Sequence, residues 1–448
     1  MTLRERVKEL SKYGELIAGD KKERLIVDKI KEYFEVNKIT TYINPQNVLK
    51  WEEKEIELEC EGIKIEAISL PYSPSIDVET SDYQVIKINN ILDINKYYRN
   101  NSNKILVFTQ DDLMRKIVLK NGTPLSHLPQ NPPKLPAFYI RYKDANQIKG
   151  KCRFFLKSSF EDSIGYTIEG IIPGKTEDKI YVTAHHDHWF KGEHDDLISV
   201  SILPELKSEK YELHLISFTA EESGCFFSSF SWACGSYNFL RSNKIDAKLS
   251  ISLDNLTLNS KFFVTPGLFK YFKNAVQYPS PYTDSYNFLK RGIPTISMSD
   301  IDYPYYHSEA DEISETENYE EIVKLLNVFL SNEITINPQE LVNVIFDTPL
   351  PIEIKELALN LIERGKYNEL LKFYGSVLDL SKNTIQTYLF HKLVGINKAY
   401  QNSVAIEDFV ELRNYCEDEI CSKLYEKFLY YLQKEITNEY LIQLKNLF

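Results

Sequence analysis

In DKKERLIVDKIKEYFE, residues 20–35, the apolar side chains Ile26, Val27, Ile30, Tyr33 and Phe34 recur at the three- and four-residue spacing of one helical face, behind Asp20 and Glu23 at capping-box spacing. From about 46 to 158 the pattern shortens to alternating runs such as KIEAISL, YQVIKI, KILVFT and PAFYIRY, broken by Pro, Asn and Asp clusters, which predicts short strands. From about 160 to 335, strand-like apolar runs alternate with helical patterns, as in a parallel α/β sheet. Beyond NPQE at 337–340, the stripes Ile354, Leu357, Ala358, Leu361, Ile362 and Leu424, Phe428, Tyr431, Leu432 predict helices. The expected fold is α/β: a mixed, mostly parallel doubly wound sheet with an inserted β-rich domain and a C-terminal helical region. Its expected divisions are 1–45 with 159–335, then 46–158, then 336–448.

Length agrees with this division, since 448 residues exceed what one hydrophobic core usually holds. A net charge of -12 with no basic block argues against nucleic-acid binding. No apolar run approaches a membrane span, and MTLRERVKELSKYGE lacks the apolar core of a signal peptide, so a cytoplasmic location is expected. The cysteines at 60, 152, 225, 234, 416 and 421 show no framework spacing and are expected mostly as buried thiols, with Cys225 and Cys234 as one candidate pair.

Candidate chemistry gathers where the predicted strands end. DKIYVTA runs into His185 and Asp187, YELHLISFTA into Glu221 and Glu222, and AKLSISL into Asp254, while GIPTISM is followed by YYHSEAD with His307. Ligands of open parallel sheets collect outside the carboxyl ends of the strands, so these groups are expected on one edge. Imidazole and carboxylate are the usual non-thiolate zinc ligands, at about 2.0–2.2 Å. A carboxylate can bridge two cations about 3.5–4 Å apart. With Asp195 as the bridge, His185 and Asp254 complete one site and Glu222 and His307 the other. Asp187 is placed to take the second N–H of His185, and Glu221 to take a proton from the attacking water. His186, His188 and His194 are expected as satisfied polar or rim residues.

AHHD, GEHDD, TAEESG, SLDN and YYHSEAD, in this order, resemble the five metal-site motifs of the M28 family of zinc peptidases, which includes leucyl aminopeptidases and the glutamate carboxypeptidase group. The resemblance covers about 160 to 315 and implies the same ligand assignment, two Zn²⁺ (with Co²⁺ or Mn²⁺ as substitutes) and a peptide substrate. It also implies that Tyr306, directly before His307, donates its hydroxyl to the developing oxyanion. KILVF at 104–108 and PAFYIRYKDAN from Pro136 resemble a protease-associated domain. The helical C-terminal region, as in the glutamate-carboxypeptidase branch, implies a homodimer formed through it. The expected activity is that of a dinuclear zinc aminopeptidase; the alternatives are a carboxypeptidase, for which Arg291, Lys191 and Lys290 are the nearest basic candidates, and a non-catalytic receptor-like scaffold.

Overall fold

The computed structural model describes residues 1–101, 103–119, 133–224, 233–272, 274–275, 283–347, 352–377, 416–424, 426–427 and 430. The stripe positions Phe428, Tyr431 and Leu432, and Cys225 of the candidate pair, lie outside the described residues.

Among the described residues, a nine-stranded mixed sheet organises the fold. Its centre is parallel: Glu212–Phe218, Lys179–His185, Leu249–Leu253 and Thr295–Ser299 lie side by side in that order. Lys261–Val264 closes one side antiparallel, and Cys152–Ile172 followed by Thr40–Cys60 closes the other. LSISL and TISMS are buried at every position, because a central parallel strand is covered on both faces. Helices Leu3–Ser11, Glu23–Val36 and Glu320–Ser331 cover one face through Val7, Leu10, Ile26, Ile30, Phe34, Val323 and Leu326, which pack with Ile180, Val182 and Ile251. Phe239, Leu240 and Phe288 pack with Tyr181, Ile216 and Phe218 in a second cluster.

Two features depart from the sequence pattern. Short strands are replaced at both ends of the 46–158 segment by two 21-residue strands, Thr40–Cys60 and Cys152–Ile172, paired along their length with one irregularity between Glu53 and Glu55. Pro45 pairs with Tyr166, and among the described residues no second strand pairs with Thr40–Cys60 at that point, so a missing N–H is tolerated. Beyond these strands a four-stranded sheet forms in the order Ile68–Ser69, Ala137–Tyr139, Ile105–Thr109, Tyr83–Lys87. Its buried residues Leu106, Phe108 and Tyr139 share one apolar cluster with Leu341, Ile345, Leu361 and Leu370 of the helices that follow residue 337.

The capping box is also misplaced in the sequence reading. Helix Glu23–Val36 starts at Lys22 without a side-chain cap, and the Glu23 carboxylate is instead buried, accepting from Gly19 N at 2.6 Å and Tyr166 N at 2.9 Å. The true capping box is Thr2 with Glu5, on the preceding helix.

Cysteine chemistry differs as well. Cys60–Cys152 and Cys416–Cys421 are disulfides, not buried thiols. Cys60 and Cys152 face each other across the two long strands, a proximity that sequence separation conceals. Stable cross-links of this kind belong to oxidising compartments, so the cysteines give no support to a cytoplasmic location. Among the described residues no helix is long and apolar enough to cross a membrane.

Gly235 joins the fold to the strand ends that matter below. It is the second residue of helix Cys234–Ser242, and a Cβ there would stand 1.8 Å from the carbonyl oxygen of Thr219. Backbone has to move to relieve such a contact. Gly235→Ala is therefore predicted to destabilise the protein by about 1–3 kcal/mol, read as a lowered melting temperature; an unchanged one contradicts this packing.

Candidate metal centre

Because the four central strands are parallel, their carboxyl ends lie on one edge, and the turns there carry the polar groups. His185 ends the first strand; Glu221 and Glu222 follow the second; Asp254 follows the third; His307 follows the fourth after a loop. Several turns need unusual backbone: Ala220 (φ 54°), Asn255 (φ 47°) and His307 (φ 56°) all adopt the left-handed region. Gly192 (φ 52°) lets the 188–195 loop fold back, since a Cβ there would lie 2.4 Å from that of His188. Asp311 anchors the same loop by accepting from the backbone N–H of His194 and Asp195, each at 3.1 Å.

The structure brings all five expected ligands together in two groups that share Asp195: His185, Asp195 and Asp254, and Asp195, Glu222 and His307. Asp195 Oδ1 stands 3.4 Å from His185 Nε2, and Oδ2 stands 3.4 Å from His307 Nε2. His185 Nε2 is 3.9 Å from Asp254 Oδ1, and His307 Nε2 is 3.0 Å from Glu222 Oε1. Tetrahedral ligands each about 2.1 Å from a shared cation stand roughly 3.4 Å apart, so the spacing fits one ion in each group.

Hydrogen bonding sharpens this fit. His185 Nδ1 lies 2.9 Å from the Asp187 carbonyl oxygen and His307 Nδ1 lies 2.8 Å from that of Lys116. A carbonyl only accepts, so each Nδ1 carries the hydrogen, and each Nε2, free to shed its proton to a cation, faces carboxylate oxygens. His185 Nε2, His307 Nε2, Asp195 Oδ2, Glu222 Oε1 and Glu221 Oε1 are all buried without a hydrogen-bond partner. Acceptors facing acceptors repel unless a cation lies between them.

Asp187 takes a different position from the one expected. Its backbone carbonyl receives the His185 N–H, while its carboxylate is 3.9 Å from that nitrogen and accepts from Glu221 N and Glu222 N, each at 3.0 Å. It thus fixes the turn that carries both glutamates. Tyr306 stacks on His307 with ring centroids 3.8 Å apart. Asp196 Oδ2 accepts from His185 N. His186 is held by Ser217 and Glu23, and His194 by Asp311 and Glu317, as expected of satisfied polar residues.

Two contributors escaped the sequence reading. The Trp189 indole donates to Glu222 Oε2 at 2.9 Å, and the Lys116 carbonyl orients His307. A Trp two residues past a ligand motif has no periodic signal, and a backbone carbonyl has none at all. The third group of potential ligands among the described residues, Glu369, Cys416 and Cys421, is unlike the first two. There the carboxylate accepts from Lys372 Nζ and Glu417 N, and the sulfurs are bonded to each other.

Burial sets the electrostatics. Desolvation raises Asp187 to about 7 against the opposing pull of His185, raises Asp284 to about 7, and lifts Glu221 and Asp196 well above the usual carboxylate range. Glu222 and Asp254 move in the same direction for the same reason. Asp195 moves the other way: burial would raise it, but His185 and His307 outweigh that and hold it below the ordinary value. Burial would lower His307, yet Glu222 and Asp195 raise it to about 10. For His185, Asp196 and Glu221 likewise override burial and hold it well above normal. Burial brings His188 down to about 4.

The fold and this edge define a class first, that of the zinc exopeptidase fold: a mixed sheet with a parallel centre and helices packed on it. Residues 167–331 match the model of peptidase family M28. An aminopeptidase from Aneurinibacillus sp. strain AM-1 is similar in structure, with 16% identity and a TM-score of 0.52 over 75% of this chain and 95% of that one. BSAP, a zinc aminopeptidase from Bacillus subtilis, gives 18% and 0.53 over 74% and 95%. A peptidase M28 precursor from Shewanella amazonensis SB2B gives 14% and 0.55 over 75% and 94%. No curated protein matches the sequence.

The raised carboxyl groups predict how stability depends on pH in protein stripped of metal. Asp187 and Asp284 keep a proton in the folded state that the unfolded chain releases near 3.8. Their contribution is fully present below that value and is lost as pH rises through about 7. Histidine 307 acts in the same sense, losing its contribution as pH rises from 6.5 toward about 10. Stripped protein is therefore predicted to melt at lower temperature at about pH 8 than at about pH 5, and a divalent cation to remove most of the difference. A melting temperature that rises across that window contradicts the assignment.

Proposed function

We propose that the chain is a dinuclear zinc exopeptidase that acts as an aminopeptidase. His185 and Asp254 would hold one ion and Glu222 and His307 the other, with Asp195 shared between them. The observation that carries this reading is Asp195 itself, whose two carboxylate oxygens each face the unpaired Nε2 of a different histidine. When bound, the ions would polarise the scissile carbonyl and lower the pKa of water at the site.

Residues of the chain supply the rest. Glu221 is buried, with Oε1 free of hydrogen bonds and its proton affinity raised by desolvation. Such a carboxyl group is suited to take the proton of the attacking water and return it to the leaving amine. Asp187 keeps Glu221 in place through its backbone N–H. Tyr306 is held protonated by burial and by the neighbouring Asp195 and Glu222, so its hydroxyl is available to donate to the developing oxyanion.

Charge favours the amino end of a peptide. After burial, the largest influences on His185, Asp187, Asp195, Asp196, Glu221, Glu222, Asp254, Asp284, Tyr306 and His307 come from neighbouring carboxylates, imidazoles and hydrogen-bonding groups, not from Lys or Arg. Lys191 pairs with Glu312 on the surface, and Lys290 lies 4.6 Å from the Tyr286 ring centroid. An acidic site attracts a free ammonium group and repels a terminal carboxylate.

The test is release of free amino acid from paired peptides with free and N-acetylated termini, with zinc present. Cleavage is predicted only of the free termini. Glu221→Gln is predicted to lower kcat by about 10²–10⁴-fold without loss of bound zinc. Release from the blocked peptides instead identifies a carboxypeptidase. Absence of cleavage at full metal occupancy identifies a non-catalytic scaffold.

A further inference from the structure

The two histidines are oriented from different parts of the chain. His185 gives its N–H to Asp187, two residues away on the same strand end. His307 gives its N–H to Lys116, 191 residues earlier, in the segment that leaves strand Ile105–Thr109 of the small sheet. The contact is reciprocal, because Lys116 N donates back to His307 O at 3.0 Å.

Around this pair the same segment grips the whole loop. Arg115 is 2% exposed; its guanidinium donates to Tyr306 O at 2.7 Å and Pro304 O at 2.8 Å and is paired with Asp111 at 2.7 Å. Glu309 N donates to Met114 O, and the Glu309 carboxylate accepts from Met114 N. Arg141, just past strand Ala137–Tyr139, holds that carboxylate with two N–H groups at 2.9 and 3.0 Å. Lys116 Nζ bonds Glu15, which accepts from Phe190 N in the loop after Asp187. None of these contacts reaches His185 or Asp254.

We propose that residues 111–119 are a positioning strap for the second ion: they fix the tautomer and direction of His307, so the small sheet sets the affinity of the Glu222–His307 site while leaving the His185–Asp254 site alone. Arg115 and Arg141 are positioning residues in this scheme. The inference rests on the paired-ion reading above. It also assigns the small sheet a role, since any displacement of it pulls directly on one metal ligand. Partners that orient a ligating histidine typically contribute about 10–100-fold in metal affinity.

Calorimetric zinc titration of the stripped full-length protein tests this. The native chain should take up two ions; uptake of one or none contradicts the paired-ion reading itself, before any variant is considered. Given two, Arg115→Ala should weaken one ion by about 10–100-fold and leave the other unchanged. In a Glu222→Gln background, which keeps only the His185–Asp254 ion, Arg115→Ala should change nothing further. Arg153→Ala, at an exposed ion pair with Asp77 and Glu57, serves as the control and should leave both affinities unchanged. Unchanged affinities in folded Arg115→Ala overturn the proposal, as does equal weakening of both ions. Should Arg115→Ala fail to give the native circular dichroism spectrum, Arg141→Ala decides: selective weakening of one ion upholds the strap, and two unchanged ions overturn it.

Discussion

Two imidazoles whose Nε2 atoms face a single buried carboxylate, and which can do so as neutral rings only when a cation replaces the proton, are the constraint on which the site depends. Each Nδ1 hydrogen is committed to a main-chain carbonyl, Asp187 for His185 and Lys116 for His307. Each Nε2 then meets oxygens of Asp195, with Asp254 or Glu222 completing the group. As a set of acceptors in a desolvated place this is unfavourable, and the proton affinities of the surrounding carboxyl groups rise accordingly. A pair of divalent cations reverses the sign of every one of these interactions.

The fold is arranged to hold that set rigidly. Parallel strands put four turns on one edge, and three of those turns carry a left-handed residue, Ala220, Asn255 or His307, at or near a candidate ligand. Further out, three acceptors keep the turns fixed: the Asp187 carboxylate on the backbone N–H of Glu221 and Glu222, Asp311 on that of Asp195, and Glu23 on the His186 ring. Trp189 constrains one oxygen of Glu222 and leaves the other to face His307. The small sheet adds support to one half of the site only.

Much of this was legible in the sequence because it follows from two simple rules, burial of apolar strands and ligand placement at their ends. The runs into His185, Glu222 and Asp254 announced both the parallel sheet and the edge, and His307 followed from the same rule. What was not legible depends on contacts between distant segments. The two 21-residue strands were hidden because neither forms one apolar run, their buried positions being interrupted by exposed polar ones along most of their length. Glu23 looked like a helix cap because its buried partners, Gly19 N, Tyr166 N and His186, come from three separate places. The Cys60–Cys152 bond required the register of those same strands. The role of Asp187 was read from its spacing to His185, which places the residue correctly but cannot tell its carbonyl from its carboxylate.

The central claim is that Asp195 is shared between two cations, one held with His185 and Asp254 and one with Glu222 and His307. Crystals of zinc-loaded protein, measured at the zinc absorption edge, address it most directly. Two anomalous peaks about 3.5–4 Å apart are expected, each in contact with a different oxygen of Asp195. A single peak, or two peaks of which only one touches Asp195, would contradict the claim.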